Sequence, residues 1–137
     1  MLRNLLSGVG ANQDGKTAGI SQPNNEAQEA LIRSTYAAAG LSLKVTRLFE
    51  AHGTGTQVGD TLEAQAIANI FRTSRSRSEP LYVGAVKTNV GHLEGGSGMA
   101  SIIKTVLALE KGVIPPNAGF RKANPNIPAD EWNMKVA

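Results

Sequence analysis

The chain has two histidines, and each stands in a glycine-rich stretch directly after an apolar run: Phe49-Glu50-Ala51-His52-Gly53-Thr54-Gly55-Thr56 and Lys87-Thr88-Asn89-Val90-Gly91-His92-Leu93-Glu94-Gly95-Gly96. Imidazoles take up and release protons near neutral pH, so a pair at one place suits acid and base work or the joint polarisation of a carbonyl oxygen. Glycines around them let the backbone approach a ligand closely and turn its N–H groups toward a carbonyl or a phosphate. His52 and His92 are therefore the candidate catalytic residues. Lys87, at the end of the run before His92, joins them as a group that can orient an acid or stabilise a developing oxyanion. Thr54, Thr56, Asn89 and Gly95, on the same two loops, are expected to line the substrate. A metal site would need a third ligand at useful spacing beside the two histidines, and none is apparent; no metal and no cofactor are expected. Asp60 and Glu63 read as helix caps, and Glu94 reads as a partner for Lys87 or a solvated carboxylate.

Three helical patterns and several short apolar runs must position these loops. The first helix follows Pro23-Asn24-Asn25, where Asn25 and Gln28 resemble a capping box, and runs through Ala27, Ala30, Leu31 and Ala38 to a stop at Gly40. The second begins at Asp60 and places Leu62, Ala66, Ile67, Ile70 and Phe71 on one stripe. The third starts at about Ser97, is expected to bury Met99, Ile102, Ile103, Val106 and Leu107, and stops at Gly112 before Pro115-Pro116. Residues 5–9, 45–51, 81–86 and the short 113–114 show little polar alternation, the pattern of strands buried on both faces.

The predicted order is βαβαβαβ, an α/β fold with a mostly parallel sheet and helices packed on it. Right-handed crossovers bring the loops after successive strands to one edge. His52 follows one strand and His92 the next, so topology places both at the carboxyl edge, where open α/β folds bind ligands. From about residue 115 the periodicity is lost, which predicts an irregular tail within a single domain spanning residues 1–137.

Composition narrows the classes of function. A chain of 137 residues can form one core covering roughly two thirds of its unfolded surface. Its small aliphatic residues and 15 glycines suit tight α/β packing better than an all-β sandwich. With no cysteine there is no disulfide, no thiolate metal site and no cysteine nucleophile. The net charge is +3, and Arg72, Arg75 and Arg77 lie among serines without an interleaved aromatic, which reads as a solvated loop and not a nucleic-acid surface. No stretch approaches the roughly 20 apolar residues of a membrane span, so a soluble, cytoplasmic protein without a membrane partner is expected. The dinucleotide fingerprint suggested by Gly8-Val9-Gly10 fails because its third glycine falls at Gln13. Gly95-Gly96-Ser97-Gly98 fails as a nucleophile elbow because Met99 takes the last glycine position.

Residues 50–56 with Gly59-Asp60, and residues 86–95, closely resemble the two histidine motifs of the β-ketoacyl synthase domains of polyketide synthases. The resemblance extends to Asn12-Gln13-Asp14-Gly15, to the helix around Gln28 and Leu31, and to Ile114-Pro115-Pro116-Asn117. Nearly the whole chain looks like the carboxyl-terminal half of such a ketosynthase, with a thiolase-like fold. The Glu131-Trp132-Asn133 ending is similar to those of fungal highly reducing synthases. The resemblance implies that a cysteine from the other half carries the acyl chain, while His52 and His92 promote malonyl decarboxylation and stabilise oxyanions. Lys87 matches the family's lysine beside the second histidine.

Lacking that cysteine, the chain alone is not expected to condense acyl groups. The expectation is a stand-alone truncated ketosynthase whose histidines move protons on a polyketide or acyl small molecule, free or on a carrier protein, in isomerisation, epimerisation, dehydration or cyclisation. A non-catalytic module docking on a polyketide synthase and an inert fragment of a ketosynthase are the alternatives. A half-fold should also expose an apolar face, so a homo-oligomer, most simply a dimer, is expected.

Overall fold

In the computed structural model, which describes residues 6–17, 19 and 23–137, the chain runs α1 (Asn25–Ala38), β1 (Leu48–Glu50), α2 (Gln57–Phe71), β2 (Leu81–Gly84), α3 (Lys87–Val90), α4 (Ser97–Lys111) and β3 (Met134–Val136). Short 3-10 turns lie at Leu43–Val45, Arg72–Ser74 and Glu94–Gly96. The strands form one sheet in the order β1-β2-β3, both pairs parallel, with Leu48 opposite Tyr82 and Leu81 opposite Met134. The fold is α/β with a parallel sheet, as the sequence predicts.

Among the described residues, however, the element order is not βαβαβαβ. Residue 5 lies outside the described residues, and 6–9 form no strand: Leu6 and Val9 are exposed, while Gly8 and Gly10 lie against Thr35 and Leu31 of α1. An extended segment without a neighbouring strand has no partners for its ladder groups. Residues 113–114 are not a strand either. They follow left-handed Gly112 at the end of α4 and precede two prolines, which offer no ladder N–H. The sheet is completed instead by the tail predicted to be irregular. Its β3 is bracketed by Leu81 N–H donating to Asn133 O at 2.9 Å and Ala137 N–H donating to Val83 O at 3.0 Å.

Helix α2 supplies the centre of the core. Its Ile67, Ile70 and Phe71 are buried with Leu81 and Met134, and Ile32, Tyr36 and Phe49 pack around them. Phe71 meets Tyr36 and Phe49 edge to face, with ring centroids 5.7 and 5.9 Å apart, the geometry aromatic quadrupoles prefer. Helix α1 is capped by Asn24, not Asn25: the Asn24 side chain accepts the Ala27 N–H at 3.2 Å.

Two expectations about burial are corrected. The apolar stripe of α4 is not buried within the chain: Met99, Ile102, Ile103 and Leu107 are 45–61% exposed and Val106 is half-buried. The core draws on α1, α2, the sheet and the tail, and none of the stripe residues is among those packed against it. Arg75 is not a solvated loop residue but is buried, its Nη2 donating to the carbonyls of Leu43 at 3.1 Å and Lys44 at 2.6 Å. Arg72 and Arg77 are exposed as expected.

Candidate functional site

The two histidine loops leave the carboxyl ends of neighbouring parallel strands. After β1, the Ala51 N–H donates to Gly84 O at 2.7 Å, and the chain then departs from the sheet through Gly53 at φ +49°. A Cβ on Gly53 would lie 2.7 Å from the Ala85 Cβ, so this turn admits no larger residue without displacement. Glu63 of α2 accepts the N–H groups of His52 at 2.6 Å and Gly53 at 2.9 Å, and Asp60 accepts the Gly55 N–H at 3.1 Å. These carboxylates do not cap their own helix, which begins ahead of them at Gln57. They share a face one turn apart and hold the His52 loop.

After β2, the Ala85 N–H donates to Asn117 Oδ1 at 3.0 Å, and a single helical turn, α3, carries Lys87. Gly91, with φ +77°, ends that turn and leads to His92. The two imidazoles come together: their ring centroids are 5.5 Å apart and their planes perpendicular. Both histidines are exposed.

The surroundings assign the same tautomer to both rings. Lys87 Nζ lies 3.3 Å from His52 Nδ1, so this lysine serves the first histidine, although the family pattern set it beside the second. An ammonium only donates, so Nδ1 accepts and the His52 proton sits on Nε2. The Glu94 N–H donates to His92 Nδ1 at 3.0 Å, and Ser97 Oγ lies 2.9 Å from the same atom. A backbone N–H cannot accept, so the Ser97 hydroxyl donates as well and the His92 proton also sits on Nε2. Glu94 achieves this in the left-handed region, at φ +47°, an uncommon conformation for a residue with a Cβ. Each ring thus has its lone pair committed and an N–H group to offer, an arrangement for stabilising negative charge more than for removing a proton.

The other expected residues divide. Thr54 and Thr56, their hydroxyls 3.4 Å apart, join His52, Phe49, Leu31 and Ile67 around an open cavity of about 740 Å³. Asn89 belongs to a separate apolar groove of about 500 Å³ along α4, with Val90, Ile103, Leu107 and Val113. Gly95 sits in the exposed 3-10 turn after His92. The ion pairs among the described residues are Arg47–Glu79 and Lys104–Glu50, so Glu94 does not pair with Lys87 and contributes its backbone instead. No group of three or more His, Asp or Glu side chains able to hold a metal ion occurs among the described residues.

Sequence reasoning read Ser97 as a helix start and rejected it as part of a nucleophile elbow, and so missed its hydrogen bond to His92, along with the pair Glu50–Lys104. The available signal for Lys104 was its place as a lone charge within the apolar run of α4.

The comparisons with known proteins agree with this fold. Residues 4–121 match the family model described as the carboxyl-terminal domain of β-ketoacyl synthases, and the chain belongs to that family. It is 54% identical over 134 residues to highly reducing polyketide synthase 40 of Fusarium mangiferae, covering 98% of this chain and 5% of that protein. It is 61% identical over 125 residues to highly reducing polyketide synthase sorA of Penicillium rubens, covering 91% of this chain and 5% of that one. Among solved structures, a ketosynthase from module 6 of the Bacillus subtilis bacillaene synthase superposes with a TM-score of 0.85 at 31% identity, over 93% of this chain and 24% of that one. An oxazolomycin ketosynthase domain from Streptomyces albus gives 0.87 at 30% identity, over 95% and 22%. The fold is thus the thiolase-like α/β fold of ketosynthases. The chain spans about a twentieth of the curated relatives and about a quarter of the ketosynthase structures. No helix among the described residues is long and apolar enough to cross a membrane.

Proposed function

We propose that the chain acts on the carbonyl of a polyketide intermediate, free or held as a thioester on a carrier protein, by hydrogen bonding its oxygen from both histidines at once. The observation that carries this reading is the set of Nδ1 contacts: Lys87 lies at one Nδ1 and Glu94 and Ser97 at the other, which directs the ring proton of each histidine to Nε2, on perpendicular rings 5.5 Å apart. Such a pair lowers the energy of an enolate or tetrahedral oxyanion, the charge that develops in isomerisation, epimerisation, dehydration or cyclisation of a carbonyl compound. The Thr54 and Thr56 hydroxyls flank the bound chain in the cavity beside His52. Condensation needs a thiol nucleophile from outside these 137 residues, which contain no cysteine.

Removing one oxyanion donor typically costs about 10²–10³ in rate, or about 3–4 kcal/mol. His52→Ala and His92→Ala are therefore expected to slow turnover of a β-keto or polyene thioester by about that factor each. Equal turnover by wild type and both variants rejects the assignment.

The exposed stripe of Met99, Ile102, Ile103 and Leu107 favours a second role alongside the first, self-association through α4. Light scattering at micromolar concentration is expected to give a dimer, and Ile103→Asp, a charge in the middle of the stripe, a monomer. A wild-type monomer refutes this part.

A further inference from the structure

Lys104 stands among apolar neighbours in α4, and its Nζ lies 2.6 Å from Glu50 Oε2, with the two side chains only 9% and 7% exposed. The other carboxylate oxygen, Oε1, accepts the Val86 N–H at 2.6 Å. Gly84 leaves the space for this arrangement, since a Cβ there would lie 2.6 Å from Lys104 Nζ and 3.1 Å from Glu50 Oε2. Desolvating two charges tends to cancel what their attraction returns, so a buried ion pair argues weakly for stability; its better-attested use is to select one arrangement.

We propose that the Glu50 carboxylate is the positioning group of the histidine pair. Its place in the chain explains how. Glu50 ends β1, just before Ala51 and His52. Through Oε1 it fixes the corner whose next residue, Lys87, reaches His52 Nδ1. Through Oε2 and Lys104 it fixes α4, whose first residue, Ser97, reaches His92 Nδ1. Ser97 and Lys104 lie two turns apart on the same face of α4, so a displacement of the helix at Lys104 carries Ser97 with it. One side chain thereby sets both the tautomer of His52 and the distance between the rings, without touching a substrate. The inference rests on the carbonyl-polarising reading, but its test reads ring geometry and not turnover, so the two fail separately.

With His52 and His92 as the only imidazoles, two-bond proton–nitrogen spectra of nitrogen-15-labelled protein report each tautomer, and ring-proton cross-relaxation reports their contact. Glu50→Gln with Lys104→Met keeps an acceptor for the Val86 N–H and removes the tie to α4. It is expected to retain the His52 tautomer and lose the inter-ring signal at least threefold. Glu50→Lys with Lys104→Glu keeps the attraction to α4 and leaves the Val86 N–H without an acceptor. It is expected to keep the inter-ring signal and give His52 a mixture of tautomers. Wild-type behaviour in both double variants overturns the proposal, as does loss of both signals in both. Should either double variant fail to fold, Lys104→Arg, which keeps the pair but displaces the helix, decides the matter: a weakened inter-ring signal with an unchanged His52 tautomer supports the proposal, and two unchanged signals overturn it.

Discussion

Glu63→Ala tests whether α2 holds the His52 loop. In the native chain the Glu63 carboxylate accepts two backbone N–H groups, from His52 at 2.6 Å and Gly53 at 2.9 Å. Hydrogen bonds to a charged acceptor contribute about 1.5–3 kcal/mol each when shielded from water. Glu63 is half-buried and His52 exposed, so solvent competes and the two together are worth about 2–3 kcal/mol. At about 3–4 °C per kcal/mol for a chain of this size, the melting temperature should fall by about 6–12 °C. Glu63→Gln keeps one acceptor oxygen and turns an NH₂ toward the other N–H, so it should lose about half as much or slightly more. Trp132, the single tryptophan, packs against the core and reports unfolding in urea by its fluorescence. An alanine variant within about 0.5 kcal/mol of wild type, the scatter of ordinary surface substitutions, would refute the claim that these bonds organise the loop.

Phe71→Ala removes the fully buried ring between Tyr36 and Phe49 and is expected to cost about 3–5 kcal/mol in the same urea titration; a loss below about 1 kcal/mol would mean the core is centred elsewhere. Gly53→Ala and Gly119→Ala form a matched pair, because both residues have positive φ but only Gly53 faces a neighbouring Cβ. Gly119→Ala should cost about 1 kcal/mol and Gly53→Ala clearly more, and equal losses would show that the Ala85 contact yields without effect. Asn24→Ala should cost about 1 kcal/mol through loss of the α1 cap, whereas Asn25→Ala should stay within about 0.5 kcal/mol.

The parts of the fold legible in the sequence are those written in local pattern. The Gly40 and Gly112 stops, the α2 stripe and the two runs before the histidines carry caps or periodicity, and strand-to-loop succession alone placed both imidazoles at one edge of the sheet. What escaped is set by distant pairing. Met134-Lys135-Val136 is too short to alternate visibly, and it is a strand only because β2 offers it an edge. Asp60 and Glu63 have the offsets of a cap, yet their carboxylates face loop amides that sequence spacing does not bring near. The stripe of α4 has the period of a buried helix, and periodicity reports which side is apolar without reporting what covers it. Lys104 gains its role from Glu50 on β1, and its place as a lone charge in an apolar run signals a buried partner without saying which residue it is.

The central strand, β2, carries a consequence for how the molecule assembles. It is flanked on one side by an earlier segment, Leu48 meeting Tyr82, and on the other by a much later one, Leu81 meeting Met134. Chain entropy alone hardly separates the two closures, because the cost of a loop grows only with the logarithm of its length and they differ by well under about 1 kcal/mol. What separates them is the intervening chain: α2 folds locally and delivers β2 to β1, while the route to β3 is a prolyl stretch with no helix of its own after α4. During synthesis the β1–β2 ribbon can therefore form before residues 134–137 are added, and β3 arrives later as a clasp, fastened by Asn117 N–H donating to Ala137 O.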